Sequence, residues 1–179
     1  MSKTNIIIAL LIFFALLLSF GMNFLETNSF PQIPEGTKPK IFFCPEDNCL
    51  QEVLDKINSS QESIYCMMYS LTSDEVGNAL ISAHDKGISL ELILDSQQIT
   101  ENSEFEKIEQ AGVQVIKDKN PQLMHNKFCV FDKKVVTTGS VNFTQNGFER
   151  NNENLVIIED EEIALQYLQE FEKFWNEWS

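Results

Sequence analysis

The sequence predicts an α/β domain with a mixed, largely parallel central sheet flanked by helices, preceded by an N-terminal membrane-spanning helix. Three observations lead there. β-Type runs alternate with helical stretches in a βαβαβαβ rhythm, capping and turn residues fall at the joints, and one apolar run near the start is long enough to cross a bilayer. The domain opens with a short β-type run over 40–44 and a helix over 49–59. Residues 63–69 (SIYCMMY) are apolar on both parities, the pattern of a strand buried on both faces. Thr72 and Glu75 have capping-box spacing and open a helix that stops at Lys86, with Gly87 at the C′ position. SLELIL at 89–94 is the next strand. Ser103 and Glu106 repeat the capping-box spacing before a helix that ends at Ala111 and Gly112, and 113–116 is again strand-like. Two short β runs, 128–131 and 134–138, are separated by Asp132 and Lys133, a hairpin by spacing. After a last strand over 154–158, an amphipathic helix over 160–178 carries Ile163, Leu165, Leu168, Phe171, Phe174 and Trp175 along one face. Its acidic first turn suits the positive end of the helix dipole.

Composition narrows the function. Twenty-seven Asp and Glu against 13 Lys and Arg leave the 179-residue chain with a net charge of −14, which excludes a protein that coats nucleic acid electrostatically. A 43% hydrophobic fraction with 14 Phe supports a real core and excludes wholesale disorder. The charge is uneven. Residues 151–179 hold eight acidic side chains against Lys173 alone, whereas between Lys117 and Lys134 five lysines face two aspartates. A positive island in an acidic protein suits a small anionic group better than a long polyanion.

Near the start, residues 6–20 are apolar except for Ser19, and with Gly21, Met22, Phe24 and Leu25 the stretch reaches about 20 residues, enough to span a membrane. Lys3 precedes it and Glu26 is the first charge after it, so the positive-inside bias puts the N-terminus in the cytoplasm and the rest outside. The expected organisation is a signal-anchor over 1–25, an extended linker over 26–39 with three prolines, and a folded domain over 40–179. A cleaved signal peptide, giving a secreted protein, is the competing reading.

Chemistry concentrates in the basic island. His125 and Lys127 stand two apart at the mouth of a strand, and an i, i+2 pair in extended chain projects to one side. Gly139, Ser140 and Asn142 follow in a tight turn able to aim backbone N–H groups, a hydroxyl and a carboxamide at an anion. Glu153 adds a carboxylate just before the last strand. Together they supply a nucleophile, donors for non-bridging phosphoryl oxygens, and an acid to orient an imidazole.

The full spacing, His125-x-Lys127-x4-Asp132-x6-Gly139-Ser140-x-Asn142 followed by Glu153, resembles the HKD signature of the phospholipase D superfamily. It is most similar to the small single-motif branch that includes bacterial secreted endonucleases and the mitochondrial cardiolipin hydrolase/Zucchini group. The resemblance implies that His125 attacks phosphorus and forms a phosphohistidine. It implies that Lys127 and Asn142, assisted by Ser140, hold the phosphoryl oxygens, and that Glu153 hydrogen-bonds a catalytic imidazole. Asp132 belongs to the catalytic motif, but its parity differs from that of Lys127, so a structural role is expected rather than phosphate contact. No metal or other cofactor is implied.

In-line displacement through phosphohistidine needs a second proton-transfer group. The chain has two histidines, and His84, near a helix C-terminus, reads as surface structure. The second imidazole is therefore expected from another chain, in a homodimer with both motifs at the interface. Cys44 and Cys49 lack a second pair for zinc but can form a local disulfide in an oxidising compartment, while Cys66 and Cys129 read as small buried hydrophobes. The expected activity is a metal-independent endonuclease on DNA or RNA, with a phospholipase acting on cardiolipin or another phospholipid as the alternative. A non-catalytic module binding nucleic acid or headgroups is disfavoured by the intact site residues.

Overall fold

The computed structural model describes residues 38–179. The span expected over 1–25 and nearly all of the linker lie outside the described residues, and no described helix is long and apolar enough to cross a membrane. In chain order the elements are β1 (Lys40–Cys44), α1 (Cys49–Ser59), β2 (Ser63–Met68), α2 (Asp74–Asp85), β3 (Ser89–Leu94), α3 (Phe105–Gln110), β4 (Gln114–Lys117), β5 (Lys127–Phe131), β6 (Val135–Gly139), α4 (Gln145–Glu149), β7 (Glu153–Glu159) and α5 (Glu161–Trp178). The strands form one seven-stranded sheet in the order β1-β7-β6-β5-β2-β3-β4.

The sheet is mixed but not largely parallel, which corrects the expectation. Only β2–β3 and β3–β4 run parallel, joined by the crossover helices α2 and α3. The other pairings are antiparallel. Helix α1 carries the chain from one edge of the sheet to its interior, and β1 pairs with β7 instead of β2. Alternating strands and helices reveal the elements; they do not say which strands meet.

The β5–β6 hairpin forms as its spacing predicts. Asp132 and Lys133 adopt φ of 51° and 57°, and Lys134 N–H closes the turn on the Phe131 carbonyl at 3.0 Å. Two consecutive left-handed residues match the right-handed twist of the strands they join.

Both sheet faces are covered. Ile64, Cys66 and Met68 of β2 point into one core with Val53, Ile57, Leu80 and Ile108 of α1, α2 and α3, and Met67 points into the other with Leu168 and Phe171 of α5. Each fully buried side chain of this size contributes about 1.5–3 kcal/mol. On α5 the buried stripe includes Ala164, whereas Leu165 lies off it and is exposed. Asp160 caps α5 by accepting from Ile163 N–H at 3.0 Å.

Two capping details differ from the sequence reading. The N-cap of α2 is Ser73 rather than Thr72, accepting from Val76 N–H and donating to Glu75. Ser103 caps nothing: α3 begins after Glu104, and the Ser103 hydroxyl is buried without a partner. Helix α4, capped by Thr144, was not anticipated; its few residues are too short for a helical period to register. The cysteines also depart from expectation. Cys44–Cys49 is a disulfide, one of the alternatives left open, and Cys66 and Cys129, opposite each other on β2 and β5, form a second instead of remaining free hydrophobes.

Candidate active site

At one end of the sheet β5 and β7 begin and β6 finishes. There Lys127 pairs with Met68, Gly139 with Leu155 and Glu153 with Cys44. The approach to His125 is held from below. Asp95, fully buried at the end of β3, accepts from Gln97 N–H at 2.9 Å and from Met124 N–H at 2.8 Å. Asp118, at the end of β4, accepts from Ser96 and Asn120 N–H. Tyr69 N–H then donates to the Asn126 carbonyl at 2.8 Å. Each buried carboxylate exchanges solvent for backbone donors, and the loop before His125 inherits a fixed path.

His125 is exposed, its ring tilted against Tyr69 with centroids 4.3 Å apart. Lys127 reaches back to it. Its Nζ lies 3.0 Å from the His125 carbonyl oxygen, 3.3 Å from Nδ1 and 3.5 Å from Nε2, and 4.9 Å from the centre of the Tyr69 ring. Burial pulls the Lys127 ammonium below the ordinary lysine range, with the charge of Glu153 opposing that shift.

Ser140 and Glu153 form the second half. The Ser140 hydroxyl donates to Glu153, and the Asn151 carboxamide donates to the other Glu153 oxygen at 3.2 Å. Asn154 closes on Ser140 through both its backbone N–H, at 3.0 Å, and its side chain, at 3.2 Å. Gly139 is required here: its φ is 147°, and a Cβ would collide with the Asn154 carbonyl oxygen. That same oxygen accepts from Ser140 and Val141 N–H at 3.1 and 3.3 Å. These two backbone donors are therefore engaged within the protein, which corrects the idea that the turn aims them at an anion. Asn142, two residues on, keeps its side-chain oxygen buried without a hydrogen-bond partner.

Asp132 is a second correction. It sits in the hairpin at the far end of β5 from Lys127, where its carboxylate accepts from Gln61, Glu62 and Ser63 N–H at 2.8–3.2 Å. It is not part of the site, in keeping with the structural role its parity predicts. Burial raises its pKa, but the three N–H donors and the charge of Lys134 outweigh that and hold it below the ordinary aspartate value.

Sequence reading missed Tyr69, Asp95, Asn151 and Asn154. No local pattern distinguishes them, because their roles depend on which strand ends lie side by side. His84 borders Gly87 and Ser89, at the start of β3 and so at the opposite end of the sheet from Lys127.

A cavity of about 440 Å³ opens beside His125 and Lys127, walled by Phe128 and Tyr167, whose rings meet edge to face at 5.0 Å, and by Glu170 of α5. A larger cleft of about 680 Å³ shares no residue with it and is lined by Asp74, Glu101, Glu104 and Glu106 around Lys107, a setting that repels phosphate.

A cationic side chain and an imidazole offered together at the open end of an α/β sheet define a site for phosphoryl chemistry. Residues 53–175 match the family described as cardiolipin synthase, PLD-like domain. The chain is 36% identical over 140 residues to the phospholipase D of Rickettsia conorii, covering 76% of this chain and 70% of that one. It is 30% identical over 154 residues to the mitochondrial cardiolipin hydrolase of Homo sapiens, covering 83% of this chain and 58% of that one. Among solved structures it matches Nuc from Salmonella typhimurium, a phospholipase D family member, with a TM-score of 0.75 and 28% identity over 80% of this chain and 97% of that one. The chain belongs to the phospholipase D-like superfamily and is a phosphodiesterase of that class.

Proposed function

We propose that the protein is an endonuclease that hydrolyses DNA or RNA phosphodiesters at a site completed by two copies of the chain, without a metal ion. The observation that carries it is the split between Lys127, which faces its own His125, and Glu153, which is engaged by Ser140 and Asn151 instead. Each copy holds a nucleophile with its cation, and a carboxylate whose two oxygens, each taking one donor from Ser140 or Asn151, keep lone pairs with which to orient a partner's imidazole.

In the first step an imidazole nitrogen of His125 bonds to phosphorus and one P–O ester bond breaks. The leaving alkoxide takes a proton from the partner's His125. In the second step that imidazole removes a proton from water, the water oxygen bonds to phosphorus and the P–N bond breaks, releasing a phosphomonoester and restoring His125. Lys127 and Asn142, with Ser140, serve the non-bridging oxygens. The half-buried Tyr167 ring in the cavity wall beside His125 favours nucleic acid, because a nucleobase stacks on such a ring whatever its identity.

A second reading, hydrolysis of phospholipid, is favoured by relatives named phospholipase D and mitochondrial cardiolipin hydrolase. For location we propose a domain outside the cytoplasm, anchored by the N-terminal apolar segment or secreted after its cleavage. Two disulfides support it, since such bonds persist in oxidising compartments.

The test incubates the full chain with EDTA and either single-stranded DNA, RNA or cardiolipin vesicles. Cleavage of nucleic acid that survives EDTA and disappears in His125→Ala supports the nuclease. Lipid turnover alone supports the second reading, and loss of all turnover in EDTA contradicts both.

A further inference from the structure

His125 is exposed, and among the described residues the hydrogen bonds and ring contacts of its imidazole run to two side chains, Lys127 and Tyr69. Lys127 does not orient the ring by itself. Its Nζ lies 3.3 Å from Nδ1 and 3.5 Å from Nε2, nearly equidistant from the two nitrogens, and so selects neither to face a substrate. In-line attack needs one nitrogen aimed along the line of the breaking P–O bond. The group that can fix the plane of the imidazole is the Tyr69 ring, whose centroid is 4.3 Å away at an interplanar angle of 57°.

The same ring holds the cation. Lys127 Nζ lies 4.9 Å from its centroid, within the reach of about 6 Å over which an aromatic face attracts an ammonium. Burial disfavours that ammonium, and the ring offsets part of the cost while accepting no proton. A carboxylate in its place would neutralise the charge that the phosphoryl oxygens need.

Tyr69 is fixed through its backbone. It follows the last residue of β2, and its N–H donates at 2.8 Å to the carbonyl of Asn126, the residue between His125 and Lys127. On one side of it the Met68 carbonyl accepts from Asp95 N–H at 3.3 Å. On the other the Ser70 carbonyl accepts from Phe143 N–H at 3.2 Å. The half-buried ring therefore rises from a segment pinned to three others. Tyr69 does not line the cavity beside His125, so it works through the two functional side chains rather than on a substrate.

We propose that Tyr69 is a positioning residue for the reaction: one fixed ring sets the plane of the His125 imidazole and holds the Lys127 ammonium beside it, so that nitrogen and cation meet the phosphodiester in a single geometry. The ring makes both contacts, and the phenol hydroxyl makes neither. The inference rests on the reading of His125 as the nucleophile.

The test compares the full chain with Tyr69→Phe, Tyr69→Leu and Tyr69→Met in the hydrolysis of bis(p-nitrophenyl) phosphate. Tyr69→Phe keeps the ring and is expected to retain most of kcat. Tyr69→Leu and Tyr69→Met are expected to lose about 10²-fold in kcat with KM near the wild-type value, the scale of a reacting group displaced by about 1 Å. A second readout follows the imidazole itself. The chain has two histidines, so heteronuclear NMR of the imidazole C–H groups separates His125 from His84, with His125→Ala assigning the signals and His84 reporting an intact fold. The ring current of Tyr69 is expected to displace the His125 signal in the wild type and in Tyr69→Phe. In Tyr69→Leu and Tyr69→Met that signal should move toward its free-imidazole position while His84 stays. Wild-type kcat in Tyr69→Leu, with His125→Ala inactive, overturns the positioning role and leaves the nucleophile standing. An equal loss in Tyr69→Phe assigns the effect to the hydroxyl and overturns the proposal, as does lost activity with an unmoved His125 signal. Full activity in His125→Ala overturns the nucleophile reading itself.

Discussion

Lys127 Nζ lies 3.3 Å from Nδ1 of His125 and is the nearest cation to the imidazole among the described residues. The two side chains stand two residues apart, Lys127 at the first position of β5 and His125 on the segment leading into it, whose path Asp95 and Tyr69 fix. Their juxtaposition places positive charge where the non-bridging oxygens of a phosphodiester bound at His125 would lie.

Removing that charge is expected to act on turnover more than on binding. Lys127→Met should lower kcat for bis(p-nitrophenyl) phosphate by about 10²–10³-fold. His125→Ala should lower it by about 10³-fold or more, and the double variant should be little worse than His125→Ala because the two groups act as a unit. Steady-state kinetics check this; fully multiplicative losses would contradict a joint role.

The alkaline limb of the rate profile should report Lys127. Its ammonium must be protonated to act, and burial lowers its pKa, so kcat/KM is expected to fall at a pH below that of an ordinary lysine. The charge of Glu153 opposes the shift, so Glu153→Gln should move the limb to still lower pH, besides slowing the reaction. A limb unmoved in Glu153→Gln would separate Lys127 from the observed titration.

Asp132 should behave as a structural residue. Asp132→Ala is expected to cost about 1–3 kcal/mol of stability at neutral pH, the scale of charge-assisted hydrogen bonds lost from Gln61, Glu62 and Ser63. Because the folded pKa is depressed, its contribution is complete above the unfolded aspartate pKa and is lost as pH falls toward the folded value. Denaturant unfolding at several pH values should therefore show the variant's deficit shrinking in acid, with kcat per folded molecule near wild type throughout.

The two disulfides should differ in weight. Cys66–Cys129 spans 63 residues and Cys44–Cys49 only 5, so loop-closure entropy gives about 4 and about 2 kcal/mol respectively. Guanidinium unfolding of the two paired Cys→Ala variants checks the order, and a larger loss from Cys44→Ala/Cys49→Ala would contradict it.

Much of this was legible before any fold was known. The strands at 40–44 and 89–94 and the helix at 49–59 follow from propensity and period, and the hairpin from its two-residue spacing. His125, Lys127, Ser140, Asn142 and Glu153 stand in a spacing that marks them as a group. What escaped depends on long-range pairing. The antiparallel partnership of β1 with β7, the meeting of Cys66 with Cys129, and the placement of Tyr69 and Asp95 around His125 arise from sheet order, which no local pattern encodes. The engagement of Ser140 and Val141 N–H by Asn154 escaped for the same reason.

The most direct measurement is rapid-quench trapping during turnover of a radiolabelled phosphodiester, with an alkaline quench that preserves phosphohistidine and peptide mapping of the labelled site. The expected result is label on His125 that appears within one turnover and decays as product forms, and none in His125→Ala. An enzyme in full turnover with no label on His125 would contradict the account.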